Sequence, residues 1–217
     1  MDLLGLRNLT ILSDTINIIE KTRHTRIDPY KIPTDDPETY QLLCRGETKG
    51  VFQLEGDGIR ELLVRMKPDN FRDIIATVAL YRPCPFYSGM VDDYIDVKHG
   101  LKEPFYLHPV MKEVLSETNG VMVYQEQVMR IMNRLGKVPL DSTYTCIKAI
   151  GKKSQTLIQK YKDDFIKGAQ ENGLTAKDAQ DVFALIMEFA GYGVNKSHST
   201  AYAMVAYIMA YLKAHYP

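Results

Sequence analysis

A mainly α fold, a multi-helix domain with a few short strands, is predicted by three features of the sequence. Apolar residues recur at spacings of three and four, the period that lines one face of a helix. Prolines and capping residues stand at the edges of these segments rather than inside them. Apolar residues make up 45% of the 217, enough for a sizeable core, and there is no internal repeat, low-complexity tract or long flexible linker.

The first helix is predicted over 9–22, where Leu9, Leu12, Ile16 and Ile19 share a face. A polar, proline-containing connector over 23–36 ends at Asp36-Pro37, a cap followed by proline at the first helical position, and a short helix then reaches Cys44. GVFQLE (50–55) reads as a short strand-like run, and 58–66 as a helix. Asp69 is a candidate cap for a helix over 70–80, and the two prolines of YRPCPFYSGM forbid regular helix after it. Further helices are expected at 92–99, 109–117 and 125–135, with an extended VMVY (121–124) between the last two. The remainder reads as helices over 141–149, 153–171, 176–190 and 197–215.

Twenty-seven basic residues balance 27 acidic ones, which excludes a wholly basic nucleic-acid coat but not a local patch. Three cysteines stand far apart at 44, 84 and 146 without a CxxC, so neither a disulfide framework nor a zinc site is expected and a reducing, cytosolic setting fits. The longest apolar run, Thr200–Leu212, has 13 residues, whereas a membrane span needs roughly 20. No signal peptide is visible, and both ends are abrupt, as in a piece of a longer protein.

Two segments concentrate chemistry. In CIKAIGKKSQTLIQKYKDDFIKG, Lys148, Lys152, Lys153, Lys160, Lys162 and Lys167 oppose only Asp163 and Asp164, and Gly151 interrupts the helix beside Lys152 and Lys153. Such a break can expose backbone N–H groups to an anion, and several lysines on one polyphosphate add to it; a solvated helix face is the alternative. GKKS is not a P-loop, because Cys146 stands where that motif needs glycine. In GYGVNKSH, Ser197 is a candidate cap for the last helix, Gly191 and Gly193 allow unusual angles or close ligand approach, and Asn195, Lys196 and His198 would stand at the positive end of that helix. An ordinary capped helix is the alternative there. Arg82 lies on a proline-stiffened loop and suits bidentate phosphate contact. The carboxylate pairs Asp92-Asp93 and Asp163-Asp164 are adjacent in helices and splay apart. Asp2 is a single carboxylate and carries no assignment by itself.

These residues fall in long motifs: MDLLGLRNL, GVFQLEGDGIRELL, ATVALYRPCPFYSGMVDDYIDVKHG, GVMVYQEQVMRI, AIGKKS, FAGYGVNKSHSTAYAMVAY and YLKAHYP. In this order they resemble the alpha subunits of bacterial DNA polymerase III, the family C replicative DNA polymerases, from the first residue to the last. The resemblance implies the last residues of the palm over 1–7 and most of the fingers over 8–217. It implies that Asp2 is one of three palm aspartates around two Mg2+ ions, the other two lying upstream of this chain. It also implies nucleotide contact by Arg82, Lys148, Lys152 and Lys153, and by Gly191, Tyr192, Gly193, Asn195, Lys196, Ser197 and His198, with His198 placed to sense the sugar. Four departures bear on triphosphate affinity rather than fold: Cys84 in place of glycine, Phe86-Tyr87, Ile147-Lys148 in place of paired arginines, and Val194 in place of phenylalanine.

The implied chemistry is template-directed addition of a dNTP to a primer 3′ end by two-metal phosphoryl transfer. The implied partners are primer-template DNA, dNTP and, in the full-length protein, the sliding clamp and other replisome subunits, with no membrane and a cytoplasmic, nucleoid-associated setting. The fragment alone is expected to be inactive. Two other readings are a non-catalytic nucleic-acid-binding helical module, for which Asp2 has no use, and a purely structural helical domain.

Overall fold

The computed structural model describes residues 6–81, 89–190 and 193–217. Asp2, Arg82, Cys84, Phe86, Tyr87, Gly191 and Tyr192 lie outside them. The described residues form eleven α-helices, and strand structure among them is limited to one parallel bridge between Tyr124 and Val194. The chain divides into two compact units, one of residues up to Val78 together with Ser199–Pro217, the other of Ala79–His198.

The first unit holds α1 (Arg7–Arg23), α2 (Pro37–Cys44), α3 (Asp57–Met66), most of α4 (Phe71–Leu80) and the greater part of α11 (Lys196–His215). Leu12 and Ile19 of α1 form an apolar cluster with Ile208 and Leu212 of α11, whereas Leu9, Ile11 and Ile18 are about half exposed. Tyr207 is the aromatic centre. Its ring lies 5.6 Å from Tyr40 and 5.9 Å, edge-on, from Phe71, and its hydroxyl accepts from the Asp36 N–H at 3.0 Å. Asp36 caps α2 as expected: its carboxylate accepts from the Thr39 N–H at 2.8 Å and the Thr39 hydroxyl at 2.7 Å. His215 stands 2.9 Å from the same carboxylate and 3.3 Å from Glu38. Burial works to raise the Asp36 pKa, but the hydrogen bonds from Thr39 and His215 outweigh it and hold the carboxyl below its usual 3.8.

Two expectations are corrected here. GVFQLE is a turn, not a strand: Gln53 is left-handed with φ 62°, Leu54 N–H donates to Val51 O at 3.1 Å, and the Thr48 hydroxyl closes the loop on Leu54 O. Val51, Phe52 and Leu54 are all buried, a pattern that alternation along a strand cannot give. The cap of α4 is Asn70 rather than Asp69, because Asn70 Oδ1 accepts from the Asp73 N–H at 3.2 Å while its amide donates back to Asp73 at 2.9 Å.

The second unit holds α5 (Met90–Lys98), α6 (Pro109–Leu115) with a 3-10 turn at Ser116–Thr118, α7 (Gln125–Arg134), α8 (Leu140–Gly151), α9 (Gln155–Glu171) and α10 (Ala176–Ala190). Its core combines Val128, Ile131 and Met132 of α7, Cys146, Ile147 and Ile150 of α8, Phe165 of α9, and Val182, Phe183 and Ile186 of α10. Burial pushes the Cys146 thiol up to about 12, so it stays protonated as a small core group. Helix α9 meets the end of α7 at closest range through two glycines. A Cβ on Gly168 would strike the backbone carbonyl of Gly136, and one on Gly136 would strike the Phe165 ring.

Replacing Gly168 with alanine is therefore expected to destabilise the unit by about 1–3 kcal/mol through overpacking. At Gly151, where a Cβ meets nothing within 4 Å, the same change should stabilise by about 0.5–1 kcal/mol. Urea midpoints of the two variants should move in opposite directions. In the first unit, a carboxyl whose folded pKa is depressed contributes stability above its unfolded value and loses it as pH falls through the folded one. Stability should thus be flat with respect to Asp36 above pH 3.8 and fall below it. Asp36→Asn should lower the urea midpoint at pH 7 and flatten this acid-side fall.

Candidate functional site

The candidate segment is fixed from below by one buried amide. Gln127, 2% exposed, accepts from the Val123 and Tyr124 N–H groups at 2.9 and 3.0 Å and donates to the Thr118 hydroxyl at 2.8 Å. The extended 121–124 stretch is thereby held against the 3-10 turn and the start of α7. Val194, buried, bridges to Tyr124, and its carbonyl accepts from the Gln125 N–H at 2.9 Å. Gly193 has no left-handed backbone. It is required because a Cβ there would lie 2.9 Å from both the Gln125 side chain and the Phe189 ring. The glycine allows this close approach of protein to protein.

Helix α11 then starts at Lys196. Asn195, not Ser197, is its side-chain cap: Asn195 Oδ1 accepts from the His198 N–H at 3.0 Å. Ser197 lies within the first turn and is exposed, as is the His198 side chain. The positive end of the helix already meets an internal anion. Both oxygens of Glu126 accept from the Lys196 N–H, at 3.1 and 3.2 Å. The Lys196 ammonium donates to Glu117 at 2.6 Å and lies 5.4 Å from the Tyr124 ring centre.

The lysine group stands at the corner between α8 and α9. Lys148 is exposed and its ammonium lies 4.4 Å from the Tyr144 ring centre, one turn back on α8. Its neighbour Ile147 is 4% exposed and belongs to the core. After Gly151 the chain forms a Schellman-type end. Lys153 is left-handed with φ 55°, Lys153 N–H donates to Ile150 O at 2.9 Å and Ser154 N–H to Ala149 O at 3.0 Å. Lys152 N–H is used by Lys148 O at 3.0 Å. The N–H groups of Lys152 and Lys153 are thus taken by helix carbonyls, whereas the start of α9 at Ser154 has no side-chain cap; beside it three ammonium groups on exposed residues face solvent.

The structure brings Gly193, Asn195, Lys196, Ser197 and His198 together with Glu117, Tyr124 and Glu126. Lys148 on α8 and Lys152 and Lys153 in the turn after it form a second group. Glu117, Glu126 and Gln127 were not among the residues singled out from the sequence. For Glu126 and Gln127 the signal is the run YQEQ, with an acid in the first turn of α7 and Gln127 three residues after the cap position; Glu117 has none. Among the described residues no group of three or more His, Cys, Asp or Glu side chains could hold a metal ion, and no helix is long and apolar enough to cross a membrane.

Residues 8–173 match the family described as the bacterial DNA polymerase III alpha subunit finger domain. The chain belongs to that family. It is 45% identical over 216 residues to DNA polymerase III subunit alpha of Campylobacter jejuni, and 47% identical over 217 residues to that of Aquifex aeolicus. To the Escherichia coli K12 subunit it is 45% identical over 225 residues. Each comparison covers 100% of this chain but only 18–19% of the relative, so this finger-domain chain spans about a fifth of the length of those subunits.

For this finger-domain chain, the cap assignment gives a direct comparison. Asn195→Ala should cost about 1 kcal/mol and perturb the His198 amide, whereas Ser197→Ala should stay within about 0.5 kcal/mol. Thermal melts and amide spectra of the two variants check it; a larger loss at Ser197 would reverse the assignment.

Proposed function

We propose that this chain is the nucleotide-facing fingers part of a DNA-directed DNA polymerase, with residues 1–7 at the edge of the palm and 8–217 in the fingers. The observation that carries the reading is the clasp between 124–126 and 193–196. It presents Lys196 and His198 on the first turn of α11, in a chain about 45% identical over its whole length to polymerase subunits.

In this reading Lys148, Lys152, Lys153 and Lys196 neutralise the triphosphate, together with Arg82. A lysine ammonium is a compact point charge with three donors, so these groups stabilise phosphate charge without imposing a fixed orientation. Orientation falls to the clasp, where Asn195 fixes the start of α11 and His198 is placed to read the sugar. The same reading assigns nucleotide contact to Gly191, Tyr192, Gly193 and Ser197. Lys196 is shared with Glu117 before a nucleotide arrives, and the triphosphate competes for its ammonium.

Asp2 is the sole carboxylate assigned to magnesium, and one carboxylate does not make a two-ion site. The residues of this chain therefore do not fit the metal pair by themselves. The further ligands, the primer-template DNA, the sliding clamp and a cytoplasmic, nucleoid-associated setting belong to the polymerase as a whole.

Titration with a dNTP should shift amide signals near Lys148, Lys152 and His198; silence at all three overturns the reading. Glu117→Gln removes the competing carboxylate from Lys196 and one negative charge near the ligand. It should tighten dNTP binding several-fold in the same titration, on the order of the 0.5–1 kcal/mol assigned to a partly exposed ion pair.

A further inference from the structure

We infer that Tyr144 is a positioning residue: its ring holds the Lys148 ammonium at the place where a triphosphate meets it. The inference rests on the reading of Lys148 as a phosphate contact and adds a residue that the reading leaves out. Tyr144 lies outside the motifs that carry the family resemblance, between GVMVYQEQVMRI and AIGKKS. Helix α8 turns Thr143, Cys146, Ile147 and Ile150 inward, where all four are buried. Tyr144, 48% exposed, and Lys148, also exposed, stand one turn apart on the other side. Side chains on a helix lean towards its N-terminus, so the lysine stem runs back over the turn that carries the ring. The ammonium comes to 4.4 Å from the ring centre, well inside the roughly 6 Å over which a ring face attracts a cation.

The way this cation is held differs from the way Lys196 is held. The Lys196 ammonium donates to the Glu117 carboxylate at 2.6 Å, so a negative charge has to be displaced before a phosphate takes its place. A tyrosine ring is neutral and attracts the ammonium through its face. It adds no anion to the site. Lys148 is thus held in place with its charge unspent, whereas Lys196 has first to be released. The ring sets where the ammonium stands, not which way its donors point.

Holding a lysine in advance helps binding because its flexible stem otherwise loses rotamer freedom when a phosphate fixes it. A ring that already restrains the stem reduces that loss. The alternative is a solvated pair at i and i+4 that only steadies the end of α8, as many such pairs steady helices. The two readings forecast different results. A helix-steadying ring matters to stability and not to affinity, and its effect does not depend on a phosphate being bound by Lys148.

The test uses the 217-residue chain with dATP as the probe. Tyr144→Leu removes the ring and keeps a good helix former at an exposed position; Tyr144→Phe keeps a ring face. Without nucleotide, the ε-methylene proton signals of Lys148, displaced upfield by the ring in the parent, should move to the position of a freely solvated lysine in Tyr144→Leu and stay in Tyr144→Phe. The dATP affinity should fall about two- to fivefold in Tyr144→Leu and remain within about twofold of the parent in Tyr144→Phe. In a Lys148→Met background, Tyr144→Leu should change affinity by less than about 1.5-fold, because the ring acts through the ammonium. Thermal melts show that each variant is folded under the conditions of the titration. An unmoved Lys148 signal, or parental dATP affinity in Tyr144→Leu, overturns the inference. A loss of affinity that persists in full in the Lys148→Met background means that the ring acts by itself, and overturns it as well. A parent that does not respond to dATP at all removes the nucleotide reading and the inference with it. A parent that responds, with a Lys148 signal indifferent to Tyr144, upholds that reading and removes Tyr144 from it.

Discussion

The amide of Gln127 is the constraint on which the candidate site depends. A buried backbone N–H left unpaired costs on the order of 1–3 kcal/mol, and the 121–124 stretch has no sheet to pair with. Gln127 takes the N–H groups of Val123 and Tyr124 and returns its own donor to Thr118. One side chain thus satisfies an extended segment that would otherwise need a strand on each side. Only because that segment is held can it give Val194 a bridge and the Val194 carbonyl a donor. The start of α11 is therefore positioned by residues about 70 positions earlier in the chain as well as by its own cap, Asn195.

The same satisfaction logic decides what remains for a ligand. Glu126 holds the first N–H of α11, Asn195 the third, and the end of α8 folds its N–H groups back on its own carbonyls. A phosphate arriving at the start of α11 finds few unpaired amides, whereas the first turn of α9, beside Lys152 and Lys153, has no side-chain cap. Helix-end energies are modest, about 0.3–1 kcal/mol at a surface, so on the proposed reading several charges acting together weigh more.

How legible was this in the sequence? Helix positions were largely so, because period, proline and caps act within a few residues: Asp36-Pro37 opens α2 where expected, and α10 runs over the same residues as its apolar pattern. GVFQLE was not. Its apolar spacing fits a short strand, and only the Thr48 closure and the left-handed Gln53 make it a turn. Asn195 and Ser197 are both good caps; the choice depends on where the helix begins, and Glu126, remote in sequence, sets that. The packing that calls for glycine at 193 was hidden for a similar reason, since the Phe189 ring and Gln125 side chain that crowd a Cβ meet it only in the fold. Gly136 and Gly168 gave no signal at all, because two glycines 32 positions apart show their closeness only once α7 and α9 pack.

The lysine at 148 illustrates how packing constrains chemistry. Of the pair Ile147-Lys148, the first side chain is in the core and the second is exposed. Isoleucine serves the core, and Lys148 is left as a point charge resting on Tyr144. Charges of this kind attract a phosphate strongly and orient it weakly, because an ammonium on a flexible stem accommodates many geometries. Orientation needs a rigid frame. On the proposed reading that frame is the clasp of 193–198 on 124–126, where backbone hydrogen bonds, a required glycine and two carboxylates fix the first turn of α11, and selectivity among nucleotides depends on that frame more than on the lysines.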